Sequence, residues 1–435
     1  MDWWLRRSLP RQLSGLVSLS PPILVIRHES TTATGEAQMS TSLDPVASVL
    51  TRRTESETNS DSPSGVTGSS NPRTYRINLS LPPEQRYVNV ARDYASHIHE
   101  LTSLFTDVIA GSGFSVSWVR FICRLLLRRL ASSEETAELR GISRAVGIEM
   151  YLLVAFNTFL DLFMGCSSGG VKAREDNFGP GEMKMLHFRT LDWTMDQLRK
   201  VIVQLEYVRD GEIIGTSITY VGFVGILTAV RKDLSISLNF RPNRDTSSKW
   251  SNIRYYSHLM MVLAGFKPAL PSILRTTFFS NPEKSLADRA KQLTKTTSTV
   301  AYFTLSDGNQ TIIIEKDFHS SKVTNSDTFI AVTNHDADYD KAEGPTPSRA
   351  ESFRDLEFRA FVAESIERKE KLCRLHRKAM KGSKHGNGPK TKDVIKWMEK
   401  YPILNECTHF ACVMDPREGK VVYLKRYIAI LEPPD

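Results

Sequence analysis

The sequence changes character inside residues 151–173, YLLVAFNTFLDLFMGCSSGGVKA. Up to Gly165 the stretch is almost continuously apolar, as expected of a buried helix. From Cys166 onward the residues are small and mostly polar, as expected of a short strand. The junction between Gly165 and Cys166 therefore separates a helical part of the chain from a strand-rich part.

Before the junction, a strand-like TYRINLSL at residues 74–81 precedes several helical patterns. These patterns cover residues 87–109, 114–131, 135–148 and 149–163. Residues 1–70 are rich in Ser, Thr, Gly and Pro and poor in aromatic residues, so they cannot bury enough surface to order themselves. We predict a disordered segment over 1–70 and a helical segment over 71–165.

After the junction, short strand patterns alternate with turns. A helical region at 252–293 interrupts them, and KDVIKWMEKYP at 392–402 predicts a late helix before the last strands. We expect polar, basic connections on both sides of SIERKEKLCRL at 365–375. Helices first and a strand-rich body afterwards predict an α+β protein built of layers, not a parallel α/β sheet.

Composition argues against several functions. The 435-residue chain has a net charge of +8, spread along its length, and contains no zinc-finger, aromatic RNA-binding or basic-zipper pattern. A nucleic-acid partner is therefore not expected, and an anionic lipid surface suits this charge better. Five irregularly spaced cysteines predict neither a disulfide framework nor a zinc site. The common motifs of nucleotide binding, serine hydrolysis and zinc hydrolysis are missing.

Cys166 is open to two interpretations when it is taken alone. A single cysteine beside apolar residues is usually a small buried side chain. A cysteine at a sharp change of texture is also a candidate nucleophile, because a neighbouring base or cation is enough to make a thiol reactive. The rest of the sequence has to decide between them.

From about Tyr75 to its end, the chain resembles the acid ceramidase and N-acylethanolamine-hydrolysing acid amidase family. Nine stretches carry the resemblance, and they occur in the same order as in that family. They are YRINLSLPPEQR, LRGISRAVGI, AFNTFLDLF, HFRTLDW, YVGFVGILTAVR, SISLNFR, LTKTTSTVAYFTLSDGNQT, AVTNHD and KDVIKWMEKYPILN. The resemblance implies an αββα Ntn-hydrolase fold, in which two central antiparallel sheets lie between layers of helices.

The resemblance also implies that the precursor cuts itself between Gly165 and Cys166. The products would be a helical α-subunit from residues 71–165 and a catalytic β-subunit from residues 166–435. A freed α-amine titrates near pH ~8 and a free thiol near ~8.5, so Cys166 could supply both the nucleophile and its base.

Arg189 and Asp192 in HFRTLDW match the family's arginine-x-x-aspartate stretch. An arginine near the sulfur would favour thiolate, and a carboxylate near the new amine would orient it. Strand residues three apart face opposite sides, so this pair needs a bend or bulge to converge. Asn334 in AVTNHD matches a catalytic asparagine that could stabilise the oxyanion, with Asn239 in SISLNFR as a second candidate.

Arg368 in SIERKEKLC matches a late catalytic arginine. Its spacing to Cys373 differs from the family's by about two residues, which leaves Lys369 or a shifted alignment open. Cys373 matches a cysteine that is disulfide-bonded to the α-subunit in acid ceramidase, but the family's paired carboxyl-terminal cysteines are absent here. The family implies a lysosome or vacuole, whereas the missing disulfides and the lack of a recognisable secretory signal leave the cytoplasm open.

The implied activity is hydrolysis of the amide bond of a fatty-acyl amide lipid, without a metal or an organic cofactor. Ceramide, which is N-acylsphingosine, is the leading substrate, and an N-acylethanolamine is the alternative. A catalytically inactive lipid-binding relative is the rival hypothesis. Retention of Cys166, Arg189, Asp192 and Asn334 together argues against it, because a pure lipid binder needs none of them.

The basic apolar segment FSVSWVRFICRLLLRRL at 114–130 also has two interpretations. It could form an amphipathic helix lying on an anionic membrane, where a lipid amide would be found. A core helix whose arginines reach out to solvent is the interpretation that the sequence favours.

Overall fold

The computed structural model describes residues 69–100, 102, 115–159, 165–175, 183–242, 249–341, 353–382 and 388–431. Most of the predicted disordered segment lies outside these residues; its last two, Ser69–Ser70, form a short strand. Parts of the helices predicted over 87–109 and 149–163 also lie outside them.

The described residues form helices on both sides of a strand-rich body. The helices are α1 (Val88–Asp93), α2 (Val116–Leu126), α3 (Ser133–Val146), α4 (Met150–Phe159), α5 (Lys249–Leu263), α6 (Leu270–Phe278), α7 (Leu286–Lys295), α8 (Phe353–Gly382) and α9 (Thr391–Met398). Short 3₁₀ turns occupy Pro83–Gln85, Asp196–Val201 and Ala337–Lys341.

Two sheets collect the strands. The strands are β1 (Ser69–Ser70), β2 (Thr74–Asn78), β3 (Gly165–Arg174), β4 (Met183–Asp192), β5 (Ile202–Arg209), β6 (Glu212–Tyr220), β7 (Thr228–Arg231), β8 (Leu234–Phe240), β9 (Ala301–Ser306), β10 (Thr311–Lys316), β11 (Ser321–Ser326), β12 (Phe329–Val332), β13 (Thr408–Asp415) and β14 (Lys420–Tyr427). The first sheet has the order β1-β14-β13-β4-β3-β12, and the second has the order β11-β10-β9-β8-β7-β6-β5-β2. Neighbouring strands run antiparallel except β2, which is parallel to β5.

The two sheets pack face to face, with β3 and β4 against β8 and β9. Helices α8 and α9 cover the outer face of the first sheet through a core that includes Val171, Phe188, Leu372 and Trp397. Helices α6 and α7 cover the second sheet. The predicted α+β class and the αββα layering are confirmed.

Alternation along β8 decides what lies between the sheets. Ser235, Ser237 and Asn239 point toward the first sheet, where they bond side chains of β3 and β4. The intervening Ile236 and Leu238 belong to the main hydrophobic core. The space between the sheets is therefore polar along this face of β8, although Ser235, Ser237 and Asn239 are all fully buried.

The prediction of connections on both sides of SIERKEKLCRL is wrong, because residues 353–382 form the single helix α8. Its buried face includes Val362, Ser365, Arg368 and Leu372, at the spacing of a helix. Two of these four positions are polar, so hydrophobic periodicity could not reveal the helix.

The preferred interpretation of segment 114–130 as a core helix is only partly right. Leu127 and Leu130, just after α2, are buried in the main core, and Cys123 and Leu126 of α2 pack against it. No residue of α2 is fully buried, and Trp118, Phe121 and Leu125 are 67%, 60% and 53% exposed. On its polar side, Arg124 forms a two-pronged ion pair with Glu149. None of the helices in the described ranges is long and apolar enough to cross a bilayer.

A buried ion cluster joins the helices before Cys166 to the body after it. Both oxygens of Glu138 in α3 accept hydrogen bonds from Arg275 in α6, and Oε1 also accepts one from Arg86 at 3.0 Å. Because Glu138 is fully buried, its charge is held in place by these two cations.

Glu135, one turn earlier in α3, is less well compensated. It is buried, and Arg275 Nε lies 4.0 Å from its Oε1. Burial raises the pKa of Glu135 to about 7, against the pull of Arg275. Between pH 4.5 and about 7, Glu135 therefore keeps a proton in the folded chain that it has already released in the unfolded chain.

Replacing Glu135 with glutamine should stabilise the protein at neutral pH. Because the pKa of Glu135 is raised in the folded chain, its contribution to stability is fully present below the pKa of the unfolded chain. That contribution is lost as the pH rises through about 7. The gain in unfolding free energy should be about 2 to 3 kcal/mol larger at pH 8 than at pH 5. Urea unfolding at both pH values measures it, with the exposed Glu283→Gln as the control. An equal gain at both pH values would show that Glu135 does not titrate in this range.

Candidate active site

Cys166 is the second residue of β3 and is fully buried between the sheets. It lies opposite Leu191, and Gly165 lies opposite Asp192 at the end of β4. The glycines that follow are required by crowding: a Cβ on Gly169 would lie 2.1 Å from Ile330 O of β12. The small residues after the junction therefore let β3 lie between β4 and β12.

Arg189 of β4 reaches the sulfur of Cys166. Its Nη2 donates to Sγ at 3.4 Å, and its Nη1 donates to Ser168 Oγ at 3.0 Å and to Asn239 Oδ1 at 2.8 Å. Arg189 is fully buried, and within the described ranges no carboxylate forms an ion pair with it. The site thus holds a buried cation against a thiol.

The main-chain nitrogen of Cys166 is held by a different group. It donates to Asn334 Oδ1 at 2.8 Å, and the same oxygen accepts a hydrogen bond from Arg368 Nη2 at 3.0 Å. Asn334 Nδ2 donates to Phe240 O at 2.8 Å. In the uncut chain the asparagine oxygen, rather than its N–H, therefore faces the nitrogen that would become the α-amine.

Asp192 lies on the other face of β4 and is buried, not turned to solvent. It forms an ion pair with Arg368 of α8 and accepts hydrogen bonds from Thr408 at 2.8 Å and Asn405 at 3.3 Å. The register of β13 against β4 shifts at this point, so that His409 is an extra residue beside the end of β4. Arg189 and Asp192 thus meet Cys166 at opposite ends, the former at the sulfur and the latter through Arg368 and Asn334.

Electrostatics keep the uncut thiol neutral. Burial raises the pKa of Cys166, Arg189 and Arg368 oppose this rise, and Asp192 adds to it. Burial also raises the pKa of Asp192, while Arg368, Thr408 and Asn405 hold the rise back. Solvation of the sulfur would leave the two arginines as the main influence, and they favour thiolate.

Of the two weaker candidates, Arg368 lies in the cluster and Asn239 lies beside it. Arg368 bonds both Asp192 and Asn334, whereas Lys369 forms an ion pair with Asp340 at 2.6 Å. Asn239 donates to Thr333 O at 3.2 Å and accepts from Arg189. The geometry therefore gives Asn239 the position of a support for Arg189.

Sequence reasoning missed several polar residues around this cluster. Ser168 Oγ donates to Asn239 Oδ1 at 2.6 Å. Ser237 hydrogen-bonds both Ser168 and His187, and so links the two. Burial and the nearby Arg189 lower the pKa of His187 to about 3, so its ring is neutral. The alternating Ser-x-Ser-x-Asn of β8 was the signal that could have revealed this polar line.

In the described part of the chain, no group of three or more His, Cys, Asp or Glu side chains is arranged to hold a metal ion. All five cysteines are free thiols, and Cys373 on α8 is half-buried.

Comparison with known proteins finds similarity to amide-hydrolysing enzymes. A family model described as the beta subunit of N-acylethanolamine-hydrolyzing acid amidase matches residues 70–130. Mouse acid ceramidase is 28% identical over 196 residues, which is 41% of this chain and 48% of that protein. The N-acylethanolamine-hydrolyzing acid amidase of Caenorhabditis elegans is 27% identical over 185 residues, covering 40% and 49%.

The chain is similar in sequence to acid ceramidase and to N-acylethanolamine-hydrolysing acid amidase. The resemblance expected from the motifs is confirmed, although the chain spans about half the length of the curated relatives it matches. A solved structure of a Caenorhabditis elegans orthologue of the acid amidase covers 58% of this chain and 93% of its own, at 19% identity and a TM-score of 0.41. The family-model match lies before Cys166, in the segment for which we predict an α-subunit.

Proposed function

We propose that this chain hydrolyses the amide bond of a fatty-acyl amide lipid, with Cys166 as an N-terminal nucleophile. The observation that carries the proposal is the separate handling of the two reactive atoms of one residue. Arg189 lies against the sulfur at 3.4 Å, while Asn334 accepts a hydrogen bond from the nitrogen at 2.8 Å. Any buried main-chain N–H needs an acceptor, but a structural cysteine would not need a buried arginine against its sulfur.

The proposed maturation begins with attack of the Cys166 thiol on the Gly165 carbonyl. The acyl group moves from nitrogen to sulfur, the nitrogen gains a proton, and water then cleaves the thioester. The products are a carboxylate on Gly165 and a free α-amine on Cys166. Asn334 and Arg368 already lie at the nitrogen that this step releases.

In the proposed catalytic cycle, the α-amine of Cys166 removes the thiol proton and the thiolate attacks the acyl carbonyl. Asn334 Nδ2, which also donates to Phe240 O in the uncut chain, and main-chain donors hold the oxyanion. The protonated amine then donates its proton to the leaving amine. Water releases the fatty acid from the resulting thioester. Ceramide is the proposed substrate, with an N-acylethanolamine as the alternative, and both kinds of enzyme are among the relatives.

A turnover assay with fluorescent ceramide and a fluorescent N-acylethanolamide, run from pH 4 to pH 8, tests the function. We expect hydrolysis by the wild type and none by Cys166→Ala. The ratio of kcat/KM values assigns the substrate. Binding of both lipids without hydrolysis would favour the inactive lipid-binding relative and would reject the amidase.

We also propose that α2 rests on an anionic membrane surface. Trp118, Phe121 and Leu125 form an exposed apolar stripe, and Phe266 beside the end of α2 is 66% exposed under the guanidinium of Arg129. Apolar side chains rimmed by arginines suit the boundary between headgroups and acyl chains of an anionic bilayer. A lipid amide would reach the enzyme there.

Replacing Trp118 and Phe121 together with aspartate should abolish binding to vesicles that contain phosphatidylserine. The change removes about 5 kcal/mol of apolar contact or less and adds repulsion between like charges. Vesicle sedimentation at low and high salt measures it, with the exposed Ile213→Asp on β6 as a matched control. Equal binding by the double variant and the wild type would exclude α2 as the docking surface.

A further inference from the structure

Asn334 belongs to a short segment that follows β12, and the two residues after it are held by side-chain hydrogen bonds. Asp336, the second of them, accepts two hydrogen bonds from Arg241, at 2.7 and 2.8 Å, and one from Tyr302 at 2.8 Å. Arg241 and Tyr302 belong to the second sheet and its loops, so Asp336 fixes the segment to the body of the protein.

His335, which lies between Asn334 and Asp336 in the sequence, is fully buried among three polar side chains. Its Nδ1 lies 2.8 Å from Ser365 Oγ and 3.1 Å from Thr333 Oγ1, and its Nε2 lies 3.0 Å from Asp340 Oδ1. The order serine, histidine, aspartate resembles a hydrolytic triad.

Ser365 does not have the position of a nucleophile. It lies on α8, is fully buried, and its oxygen accepts the main-chain N–H of Asn334 at 2.7 Å. One turn further along the same helix, Arg368 bonds the side chain of Asn334. Helix α8 therefore holds both the main chain and the side chain of Asn334.

The hydrogen bonds around Ser365 can be satisfied in either protonation state of His335. The Thr333 hydroxyl donates to Ser365 O at 2.9 Å. With neutral His335, the Ser365 hydroxyl donates to Nδ1, and Nε2–H donates to Asp340. With charged His335, Nδ1–H donates to Ser365 Oγ, whose own hydrogen turns to Thr333 Oγ1 at 2.9 Å.

In both states, Ser365 Oγ keeps a lone pair for the N–H of Asn334. We propose that Ser365, His335 and Asp340 form a positioning network that keeps Asn334 and Arg368 in one frame around the nitrogen of Cys166. The proposed effect on catalysis rests on the amidase function argued above. The network itself fixes the main chain at Asn334, whatever reaction the site performs.

Substitution of Ser365 by alanine tests the network through kinetics. We expect kcat to fall about 10- to 100-fold with KM within about twofold, as is usual when a group that orients a catalytic residue is lost. Ser306→Ala is the matched control, because Ser306 is a fully buried strand serine whose hydroxyl donates to Gln310 O. His335→Asn, which keeps a polar atom near the position of Nδ1, should retain more activity than His335→Leu.

Hydrogen exchange at Asn334 gives a readout that does not depend on the amidase. The main-chain amide of Asn334 should be protected in the uncut Cys166→Ala chain, lose protection in Ser365→Ala and His335→Leu, and keep it in Ser306→Ala. Unchanged protection in Ser365→Ala would overturn the network. A wild type that hydrolyses neither lipid would reject the function, and the exchange result would then decide the network alone.

Discussion

Replacing Cys166 with alanine should leave the 435-residue chain in one piece and without amidase activity. The wild type should yield fragments of 165 and 435 − 165 = 270 residues, the larger beginning at Cys166. Only the sulfur can take over the acyl group of Gly165 in the proposed reaction, and alanine removes it without adding bulk to a fully buried site. The loss should be complete and not gradual.

Electrophoresis and amino-terminal sequencing after incubation at acidic and neutral pH measure the cut. Cys373→Ala is the control, because Cys373 is a half-buried thiol on α8 and is not part of the proposed reaction. It should be cut like the wild type. A larger fragment that starts at another residue, or cutting of Cys166→Ala, would assign maturation to a separate protease.

Replacing Arg189 with methionine should lower kcat/KM about 100-fold or more while the chain stays folded. The guanidinium is the cation nearest to the sulfur in the described site, at 3.4 Å, and it opposes the effect of burial on the thiol. Without it the pKa of Cys166 rises further, and less thiolate forms at the working pH. Methionine fills a similar volume, so the loss comes mainly from charge.

The pH dependence of Cys166 alkylation by iodoacetamide in the cut protein separates this effect from unfolding. Its midpoint should move to higher pH in Arg189→Met. Arg289→Met is the matched control, since Arg289 is a fully buried arginine that bonds Thr277 O and Ser280 at a distance from the site. An unchanged alkylation profile in Arg189→Met would remove Arg189 from the activation of the thiol.

The layered fold and the main residues of the candidate site could be predicted from the sequence, for physical reasons that the structure explains. The change from large apolar to small polar residues at Cys166 has a structural cause: β3 needs small side chains to fit between β4 and β12. Motif matching brought together residues as far apart as Cys166, Asp192, Asn334 and Arg368, which the fold places in one connected set of hydrogen bonds. Their chemical roles remain predictions.

Other features were beyond pattern reading. Helix α8 was missed because its buried face is partly polar, and Ser365 and Arg368 hide its periodicity. Strand alternation placed Arg189 and Asp192 on opposite faces, but it could not show that Arg189 contacts the sulfur of Cys166 while Asp192 is linked to its nitrogen through Arg368 and Asn334. The exposure of Trp118 depends on what packs beside α2, which is tertiary information.

The strands before Gly165 have a consequence for the cut protein. β1 pairs with β14 and β2 with β5, so the smaller fragment would supply an edge strand to each sheet. Once the peptide bond is gone, reassembly after unfolding needs two chains to meet, and it becomes second order in protein concentration. In the cut protein, recovery of the folded state would thus depend on protein concentration, and its persistence in dilute solution would depend on how slowly it unfolds.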